Sequence, residues 1–528
     1  MNSIRLRIVY LIIPLAIIIF QNFGIADAFA QSNPKWGGTI NVGVPRDITG
    51  TDPHFNTAYS SGMILSHVLE RLVGIGDDLN LVPELAERWE VSNNYKLYTF
   101  YLRKGRLFHN GREMVADDVK YSLERVMKFS PRKKDLMNIE RVEIVDKYTV
   151  RVHMKVTDTS FLGIISFFSP CVMIVPREEV EKQGGFAVPM THPIGTGPYK
   201  FVEWKPDRYV LLERFDQYKP FPGRKNGFGG EKIPYLDRIK WIPIKEESVQ
   251  RMALLNKEID ILNEVQYASV EKFRTDYVKR GIVLNYEQGQ SWYPLWFNCR
   301  APITNNVKFR QACAYALDRE AIVKKSVGDF GIINSSFVGT TNLYYTPFHK
   351  KWYDYDTERA KQLLKEVGYK GEEVVIQTSK TYQEMYDTAI TVQSQLAAVG
   401  IKVKLNVVDW STLLAAFYNN KATNYQMQTM AYGVRSDPAE AYSLTLDLGF
   451  DDQYPKMKEL KIKWKETMDF ETRKKLFEEA HALTIEGVPA IIPCNFGRAQ
   501  AYWNYVKGYE IKMAAVPYSR LWGVWLEK

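Results

Sequence analysis

EVVIQTSKTYQEMYDTAITVQSQLAAVGIKVKLNVVDW, residues 373–410, is the stretch that decides the fold class of this chain. Its two ends, EVVIQTS and IKVKLNVVDW, are rich in β-branched residues and predict strands. Between them TAITVQSQLAAVG has the apolar spacing of a helix, which Gly400 ends. Strand, helix and strand in this order predict α/β lobes.

Further strands and helices are predicted on both sides of this stretch. Strands are expected in GGTINVGVP (37–45, ending at Pro45), in the pair YTFYLRKGRLFHNG (98–111), in the hairpin VEIVDKYTVRVHM (142–154) and in YQMQTMAY (425–432). Helices are expected in SGMILSHVLERLVGI (61–75), in PELAERW (83–89) and in ADDVKYSLERVM (116–127), whose early aspartates suit a helix start. In PIGTGPY (193–199) the glycines and prolines predict a tight backbone crossing between lobes.

The composition is that of an ordinary globular protein. The chain has 528 residues, 45% of them hydrophobic and 25% charged, which predicts two or three domains. Its net charge of +9 is spread along the chain without a basic block, so we expect no nucleic-acid partner.

The first thirty residues predict a secretory signal peptide. Arg5 and Arg7 precede an apolar run from Ile8 to Phe20, and Ala28-Phe29-Ala30 offers small residues for cleavage after about Ala30. The apolar run is shorter than the roughly 20 residues of a membrane span. We therefore expect a free periplasmic protein.

Four cysteines, Cys171, Cys299, Cys313 and Cys494, occur without a C-x-x-C spacing, so neither a redox motif nor a zinc knuckle is predicted. Cys313 lies in a helical pattern and is expected to be a buried thiol. A bridge from Cys299 to Cys494 or to Cys171 stays open.

Five phrases in order resemble the extracellular solute-binding proteins of the peptide and nickel type, family 5, which serve ABC importers. They are TDPHF (51–55), LVPELAERWEVSNNYKLYTFYLRKGRLFHNGREMVADDVKYSLERV (81–126), HPIGTGPYKFVEW (192–204), FRQACAYALDREAIV (309–323) and EGVPAIIPC (486–494). The resemblance implies the α/β, two-lobed periplasmic binding protein fold of type II, with a ligand cleft between the lobes. It also implies a small-molecule or peptide-like ligand, an inner-membrane ABC permease as partner, no cofactor and a monomer.

Domain limits follow from the order of these phrases. After the signal peptide (1–30), lobe I takes residues 31–75, 193–292 and 498–528, and an extra subdomain of lobe I takes 76–192. Lobe II takes residues 293–497. Closure of the lobes is expected to bury the ligand.

MAYGVRSDPAEAY, residues 430–442, matches a ligand-binding run of the family. Dipeptide- and oligopeptide-binding members carry a pattern resembling G-D-x-x-D-P, whose first Asp holds the free amino group of the peptide. Here Tyr432 is followed by Gly433-Val434-Arg435-Ser436-Asp437-Pro438, so Val434 stands at the amine-binding position. A buried ammonium without its carboxylate is costly, and a free α-amine is not expected to be held in this way.

The same matching places other residues in the cleft. Trp410 matches a tryptophan that packs over the ligand. Lys380 or Ser379, shortly before Tyr382, falls where the family holds the ligand carboxylate. Asn56 and Thr57 follow TDPH at a ligand-facing distance.

Arg435 together with Lys380 would favour an anionic ligand without a free amine: an opine-like or sugar-acid conjugate, or a blocked peptide. Plainer readings stay open. Arg435 can pair with Asp437 at the surface, Trp410 can belong to the core and Lys380 to the solvent. Asp437 before Pro438 is also predicted to cap the helix that follows.

Other functions have less support in the sequence. There is no H-E-x-x-H, no G-x-S-x-G and no nucleotide-binding glycine loop, so no enzyme and no metal site are predicted. A secreted glycosidase with paired carboxylates is the alternative from another class. Within the family the alternative is a nickel- or haem-type carrier, with His54 as the histidine near the cleft, although His54 reads more simply as a polar loop residue.

Overall fold

In this computed structural model, residues 373–410 fold as their sequence predicts. Strands Val374–Thr378 and Val403–Val407 pair in parallel, and helix Gln383–Ala398 connects them. Gly400 follows the helix with φ +92°, the left-handed region that favours glycine. The structure describes residues 33–167, 172–419, 422–433, 437–446, 448–510 and 519–528, without the side chains of 287–290. The predicted signal peptide and Cys171 lie outside these residues.

The second lobe is built around the sheet that contains this unit. In the described part of the chain its strand order is Val403–Val407, Val374–Thr378, Met427–Thr429, Leu295–Phe297 and Ala490–Ile491. Its helices are Val307–Ala316, Arg319–Ser326, Thr357–Glu366, Gln383–Ala398, Trp410–Tyr418, Pro438–Ser443, Phe450–Gln453, Pro455–Glu466 and Phe470–Gly487. These helices cover the sheet and enclose one apolar core that includes Trp296, Phe417 and Trp464.

The first lobe has a mixed sheet with parallel strands at its centre. The order is Ile282–Trp292, Cys494–Trp503, Ile261–Val265, Thr39–Val44, Arg238–Pro243, Tyr209–Arg214 and Tyr199–Lys205, and Gly331–Ile333 also pairs with Cys494–Trp503. Thr39–Val44 runs parallel to both of its neighbours. The α-helices of this lobe are Tyr59–Leu65, Glu247–Leu255 and Val270–Lys272. The two faces of the sheet pack against separate apolar cores.

An extra subdomain projects from the first lobe. Strands Ala86–Ser92, Leu97–Leu102, Thr149–Met154 and Ile139–Asp146 form an antiparallel sheet in that order. Its α-helices are Ala116–Phe129, Phe161–Ser166 and Arg177–Lys182. Short strand pairs elsewhere are Val73–Ile75 with Leu81–Pro83 and Val506–Lys507 with Trp525–Leu526. Single 3-10 or π turns are Lys133–Leu136, Tyr267–Ser269, Phe273–Tyr277, Val278–Arg280, Gly328–Phe330, Pro347–Lys350 and Leu444–Leu446.

Two neighbouring segments connect the lobes. The chain leaves the first sheet after Trp292, passes Tyr293 and Pro294, and enters the second sheet at Leu295. It returns through Ile492 and Pro493. Each segment is only two residues long and contains a proline, which fixes φ, so the hinge is short at both crossings.

Several predicted elements are confirmed and others are wrong. Strands 37–45 and 425–432, hairpin 142–154 and helix 116–127 are present. PELAERW is wrong as a helix, because Ala86–Ser92 pairs with Leu97–Leu102 as a strand. Tertiary pairing here outweighs the i, i+4 spacing.

Three further predictions need correction. The strand pair predicted over 98–111 is a single strand, Leu97–Leu102, whose partners are Ala86–Ser92 and Thr149–Met154. The helix predicted over 61–75 ends at Leu65, and Val73–Ile75 is a strand. In PIGTGPY the close approach is present, since a Cβ on Gly195 would lie 2.0 Å from the Val68 carbonyl oxygen. It packs this segment onto the residues that follow helix Tyr59–Leu65 and not between the lobes.

The described cysteines are free thiols. Cys299, Cys313 and Cys494 are all buried, and Cys313 lies in helix Val307–Ala316, which confirms the buried thiol. Among the described helices, none combines the length and the apolar character that a membrane crossing requires.

Candidate functional site

The lobes meet around a small cavity, which we call the aromatic pocket. It is lined by residues 57–59, 132, 291, 382, 410, 414, 418, 430–433 and 498, and its volume is about 100 Å³. Residues 57–59, 291 and 498 come from the first lobe, residue 132 from the extra subdomain and the others from the second lobe. One cavity therefore depends on all three parts of the fold.

One wall of the aromatic pocket is a helix face. Asp409 accepts a hydrogen bond from the Thr412 N–H at 2.9 Å and so starts helix Trp410–Tyr418. Trp410, Leu414 and Tyr418 follow at intervals of four residues and line the pocket together. The start of this helix thus fixes which side chains face the cavity.

Two further aromatic contacts hold the walls in place. The ring of Tyr382 meets that of Trp410 edge-on, with centroids 4.9 Å apart and planes at 66°. Tyr432 stacks on Trp292 with centroids 4.7 Å apart. Such contacts fix ring orientation, which suits a flat or apolar part of a ligand.

Two arginines are the charged residues among the described lining of the aromatic pocket. Arg132 directs Nε and Nη2 at Asp135, at 2.8 and 2.7 Å. Its Nη1 has no protein acceptor among the described residues. Arg498 lies on strand Cys494–Trp503 and also lines a second, larger cavity that is described below.

Arg498 belongs to a buried ion cluster behind the pocket. Glu264 receives Arg498 Nη1 at 2.7 Å and Arg46 Nη2 at 2.8 Å, and Glu384 lies 3.2 Å from Arg498 Nη2. Burial opposes the ionisation of Glu264, but the guanidinium groups of Arg46 and Arg498 outweigh it and hold its pKa below the ordinary value. Burial raises the pKa of Glu384, against the pull of Arg498. The two carboxylates of the cluster therefore differ in acidity.

A second, larger concavity lies on the other side of this cluster, and we call it the outer groove. It is lined by residues 45–47, 245–247, 250, 264–268, 324–326, 328, 380, 381, 383, 384, 387 and 498, and its volume is about 850 Å³. Its lining mixes lysines and carboxylates from both lobes. Lys380 lies here and not in the aromatic pocket, with its ammonium 4.9 Å from the Tyr386 ring centroid.

The sequence-predicted site residues are divided between several places. Tyr382, Trp410, Tyr432 and Thr57 line the aromatic pocket. Asn56 does not; its side chain accepts from the Ala58 N–H at 2.8 Å and donates to the Gly50 carbonyl at 3.2 Å, and so it shapes its own loop.

Asp437 is placed away from the pocket lining. One carboxylate oxygen accepts from the Ala439 N–H at 2.9 Å, which confirms the predicted helix cap, and the other lies 2.7 Å from Arg473 Nη2. Val434 and Arg435 lie outside the described residues. Their predicted roles stay predictions.

His54 is completely buried and lines neither cavity. Its Nε2 donates to the Met173 carbonyl at 2.8 Å, and its Nδ1 faces Arg125 Nη1 at 3.1 Å. Burial lowers its pKa to about 4. Within the part of the chain that the structure describes, no group of three or more His, Cys, Asp or Glu side chains has the geometry of a metal site.

Of the pocket residues that were not predicted from the sequence, Tyr59, Arg132 and Arg498 bear most on its chemistry, and Leu414 and Tyr418 were missed as well. Tyr59 lies in a segment whose sequence is typical of a loop, and Arg132 lies in one typical of a basic surface turn. Arg498 gave a signal that could have been read, because it is a lone charge in the otherwise mostly apolar run CNFGRAQAYW. A charge in the middle of a buried strand needs a partner.

The family comparison covers most of the chain. A sequence profile described as bacterial extracellular solute-binding proteins, family 5 Middle, matches residues 80–453. A curated relative is the glutathione-binding protein GsiB of Salmonella paratyphi A. It is 25% identical over 393 residues, which are 73% of this chain and 72% of that protein.

Solved structures share the fold over nearly the whole chain. The periplasmic binding protein DppA from Helicobacter pylori, in complex with the peptide STSA, has a TM-score of 0.82 at 24% identity and covers 94% of this chain and 99% of its own. AgaA from A. tumefaciens R10, in complex with agropinic acid, has a TM-score of 0.79 at 25% identity, with 93% and 99% covered. These neighbours confirm the predicted two-lobed α/β fold.

Proposed function

The chain belongs to the bacterial extracellular solute-binding proteins of family 5, and we propose that it binds a small anionic solute in the aromatic pocket for delivery to an ABC permease. The observation that carries this proposal is that the described lining combines four aromatic side chains of the second lobe with two arginines and no carboxylate. Opposite charge and a flat apolar wall are the two properties that such a lining can recognise.

The anionic group is the first part of the proposal. Arg132 lines the pocket, and its Nη1 is left over after the ion pair with Asp135 among the described residues. A guanidinium donates in a planar fork that suits a carboxylate. We assign Arg132 as the first contact of the solute's acid group, and Arg435 as a second, as the sequence predicts.

The second part of the proposal concerns the amino group of the solute, for which the described pocket lining offers no carboxylate as counter-ion. No described pocket residue is acidic, and Val434 stands at the position where the family resemblance implies an amine-binding aspartate. A buried ammonium would have to be held without a carboxylate, which is costly. This favours a solute whose amine is blocked, alkylated or missing.

The names of two relatives indicate the chemical class of the solute. GsiB is named for glutathione, and the AgaA structure contains agropinic acid. We propose an opine-like conjugate or a blocked, peptide-like acid for this chain. A nickel- or haem-type ligand gains no support from His54, because its ring is buried away from both cavities.

Transport rather than catalysis is the proposed outcome. Lobe closure around the short hinge would bury the solute, and the closed form would present both lobes to the permease. We propose that the mature protein acts as a periplasmic monomer and leaves its solute chemically unchanged. The lobe limits predicted from the sequence, with lobe II at 293–497, are part of this proposal.

The test is a thermal-shift and calorimetry screen on refolded protein. The panel contains agropinic acid, glutathione, N-acetylated and free dipeptides, sugar acids and Ni²⁺ with histidine, and mass spectrometry checks each recovered solute for conversion. A solute that binds only the native state raises the melting temperature. Arg132→Met should remove the shift given by an acidic, amine-blocked compound, whereas Arg88→Met, at an exposed ion pair of the subdomain, should leave it unchanged. Preferential binding of free dipeptides, or a converted solute, would contradict the proposal.

A further inference from the structure

The ion cluster behind the aromatic pocket crosses from one lobe to the other. Arg46, Glu264 and Arg498 belong to strands of the first lobe or their ends, and Glu384 begins a helix of the second. The relative exposure of their side chains is 20%, 16%, 11% and 3%. Ion pairs buried to this degree are strong only while every partner is present.

Four contacts of the cluster reach a single short segment of the second lobe, and one of them joins the Arg498 guanidinium to the Tyr382 ring, 6.0 Å from its centroid. Arg46 Nη1 donates to the Thr381 carbonyl at 3.0 Å, and the Arg46 guanidinium lies 4.2 Å from the Tyr382 ring centroid. Arg498 contacts Glu384. The segment 381–384 therefore carries every described contact of this cluster across the cleft.

Tyr382 lies at the centre of that segment and faces the aromatic pocket. Its ring contacts both the Arg46 guanidinium and the ring of Trp410. A cation over the face of a tyrosine is attractive, most strongly where water is excluded. The position of the pocket wall is thus tied to contacts that exist only when the lobes are together.

Opening the cleft would separate the cluster unequally. Glu264 would remain with both arginines in the first lobe, and Glu384 would leave alone with the second. Within the cluster, the first lobe would then carry two guanidinium groups against one carboxylate.

We propose that Arg46 is a positioning residue for Tyr382, and that the Arg498–Glu384 ion pair holds the lobes closed over the aromatic pocket. This inference rests on the proposed function only in that the pocket is where the solute binds. Glu384 acts on the closed form, and Arg46 acts on the orientation of the tyrosine ring. Neither needs to touch the solute.

The first test measures lobe closure without any solute. Spin labels on Lys205→Cys and Lys404→Cys, in a Cys171→Ser background, report the distance between the lobes by pulsed electron resonance. We expect Glu384→Gln to lower the ratio of closed to open protein by about tenfold, since the ion pair with Arg498 is reduced to a hydrogen bond between the guanidinium and a neutral amide. Glu384→Asp should recover part of it.

The matched control is Glu247→Gln. Glu247 lines the same outer groove, but its partners Arg251 and Ser269 both lie in the first lobe. We expect its closed-to-open ratio to equal that of the wild type. Equal ratios in Glu384→Gln and Glu247→Gln, or a wild type with no closed population, would overturn the latch even if a solute had been found.

The second test reads the tyrosine ring directly. Fluorotyrosine placed at position 382 gives one ¹⁹F resonance, which Arg46→Met should shift and broaden and Arg46→Lys should shift less. Arg251→Met, which breaks an ion pair inside the first lobe, should not move it. An unchanged resonance in Arg46→Met would overturn the positioning role. Both readouts are independent of the panel of solutes, so failure to find a solute would count against the proposed function alone.

Discussion

Asp437→Asn separates a structural role from a ligand-binding role in the run that first suggested an anionic site. The side chain of Asp437 is 11% exposed and that of Arg473 is 8% exposed, with Oδ2 and Nη2 2.7 Å apart. Arg473 also donates to the Tyr344 hydroxyl at 2.9 Å. Removing one partner of a buried pair leaves the other charge uncompensated, which costs about 3 to 5 kcal/mol of unfolding free energy.

Asparagine is the appropriate replacement because it can keep the cap on Ala439. Asp437→Ala should lose about 1 kcal/mol more, the usual value of an N-cap. Urea unfolding gives the stability, and calorimetry with a solute from the screen gives the affinity. Arg473→Met in the Asp437→Asn background should recover much of the loss, since no unpaired cation remains. If Asp437→Asn keeps its stability but loses affinity, the carboxylate serves the solute and our reasoning is refuted.

Three other substitutions test the pocket and the packing. Trp410→Ala should weaken solute binding about thirtyfold in calorimetry, as expected for an aromatic anchor. Trp36 is 63% exposed and lies outside the pocket, so Trp36→Ala should leave the affinity unchanged. Equal effects of the two substitutions would show that Trp410 is not part of the site. Gly195→Ala should lower the free energy of unfolding in urea by about 3 kcal/mol, because its Cβ would overlap the Val68 carbonyl. Gly105→Ala, whose Cβ meets open space at φ +69°, should lower it by about 1 kcal/mol. Similar losses in the two variants would contradict the close approach at Gly195. His67 is buried and neutral, with a pKa lowered to about 4 by burial, so the native state loses about 3 kcal/mol relative to the unfolded chain as pH falls from about 6.5 to 4. His67→Gln should reduce this pH dependence, and an unchanged dependence would refute the assignment.

The geometry around His67 shows why the acid sensitivity has this sign. Its Nδ1 faces the Met63 carbonyl at 3.1 Å, and its Nε2 accepts from the Leu521 N–H at 3.1 Å. A proton on Nε2 would meet another donor. The unfolded histidine takes up that proton below about pH 6.5, whereas the folded one resists it.

Local patterns predicted much of the fold where they agreed with the tertiary environment. The strand, helix and strand of residues 373–410 and the hairpin 142–154 combine consistent propensity, periodicity and turn residues. PELAERW failed because its spacing suits a helix while its neighbour Leu97–Leu102 offers a strand partner. That partner comes from a hairpin whose pairing a short window does not reveal.

The candidate site divides in the same way. Tyr382, Trp410 and Tyr432 lie in the aromatic pocket because each stands next to a predicted element whose end faces the cleft. Their binding role stays a prediction. Arg132 and Tyr59 come from segments more than 200 residues away from these aromatics, and only the packing of the subdomain and the first lobe brings them there. No periodicity or motif contains that information.

The strand order of the first lobe has a consequence for how the chain is assembled. The five strands of the second sheet all lie between residues 295 and 491, so this sheet can form as soon as that length of chain is free, although Gly331–Ile333 within this range pairs with Cys494–Trp503 of the first sheet. The first sheet has Cys494–Trp503 in its interior, and its core needs Leu521 and Trp522. In a chain that emerges from its N-terminus, the lobe that begins first must therefore finish last. A deletion of the last ten residues would therefore remove Leu521 and Trp522 from the core of the first lobe, which is formed mainly by residues of the N-terminal half of the chain.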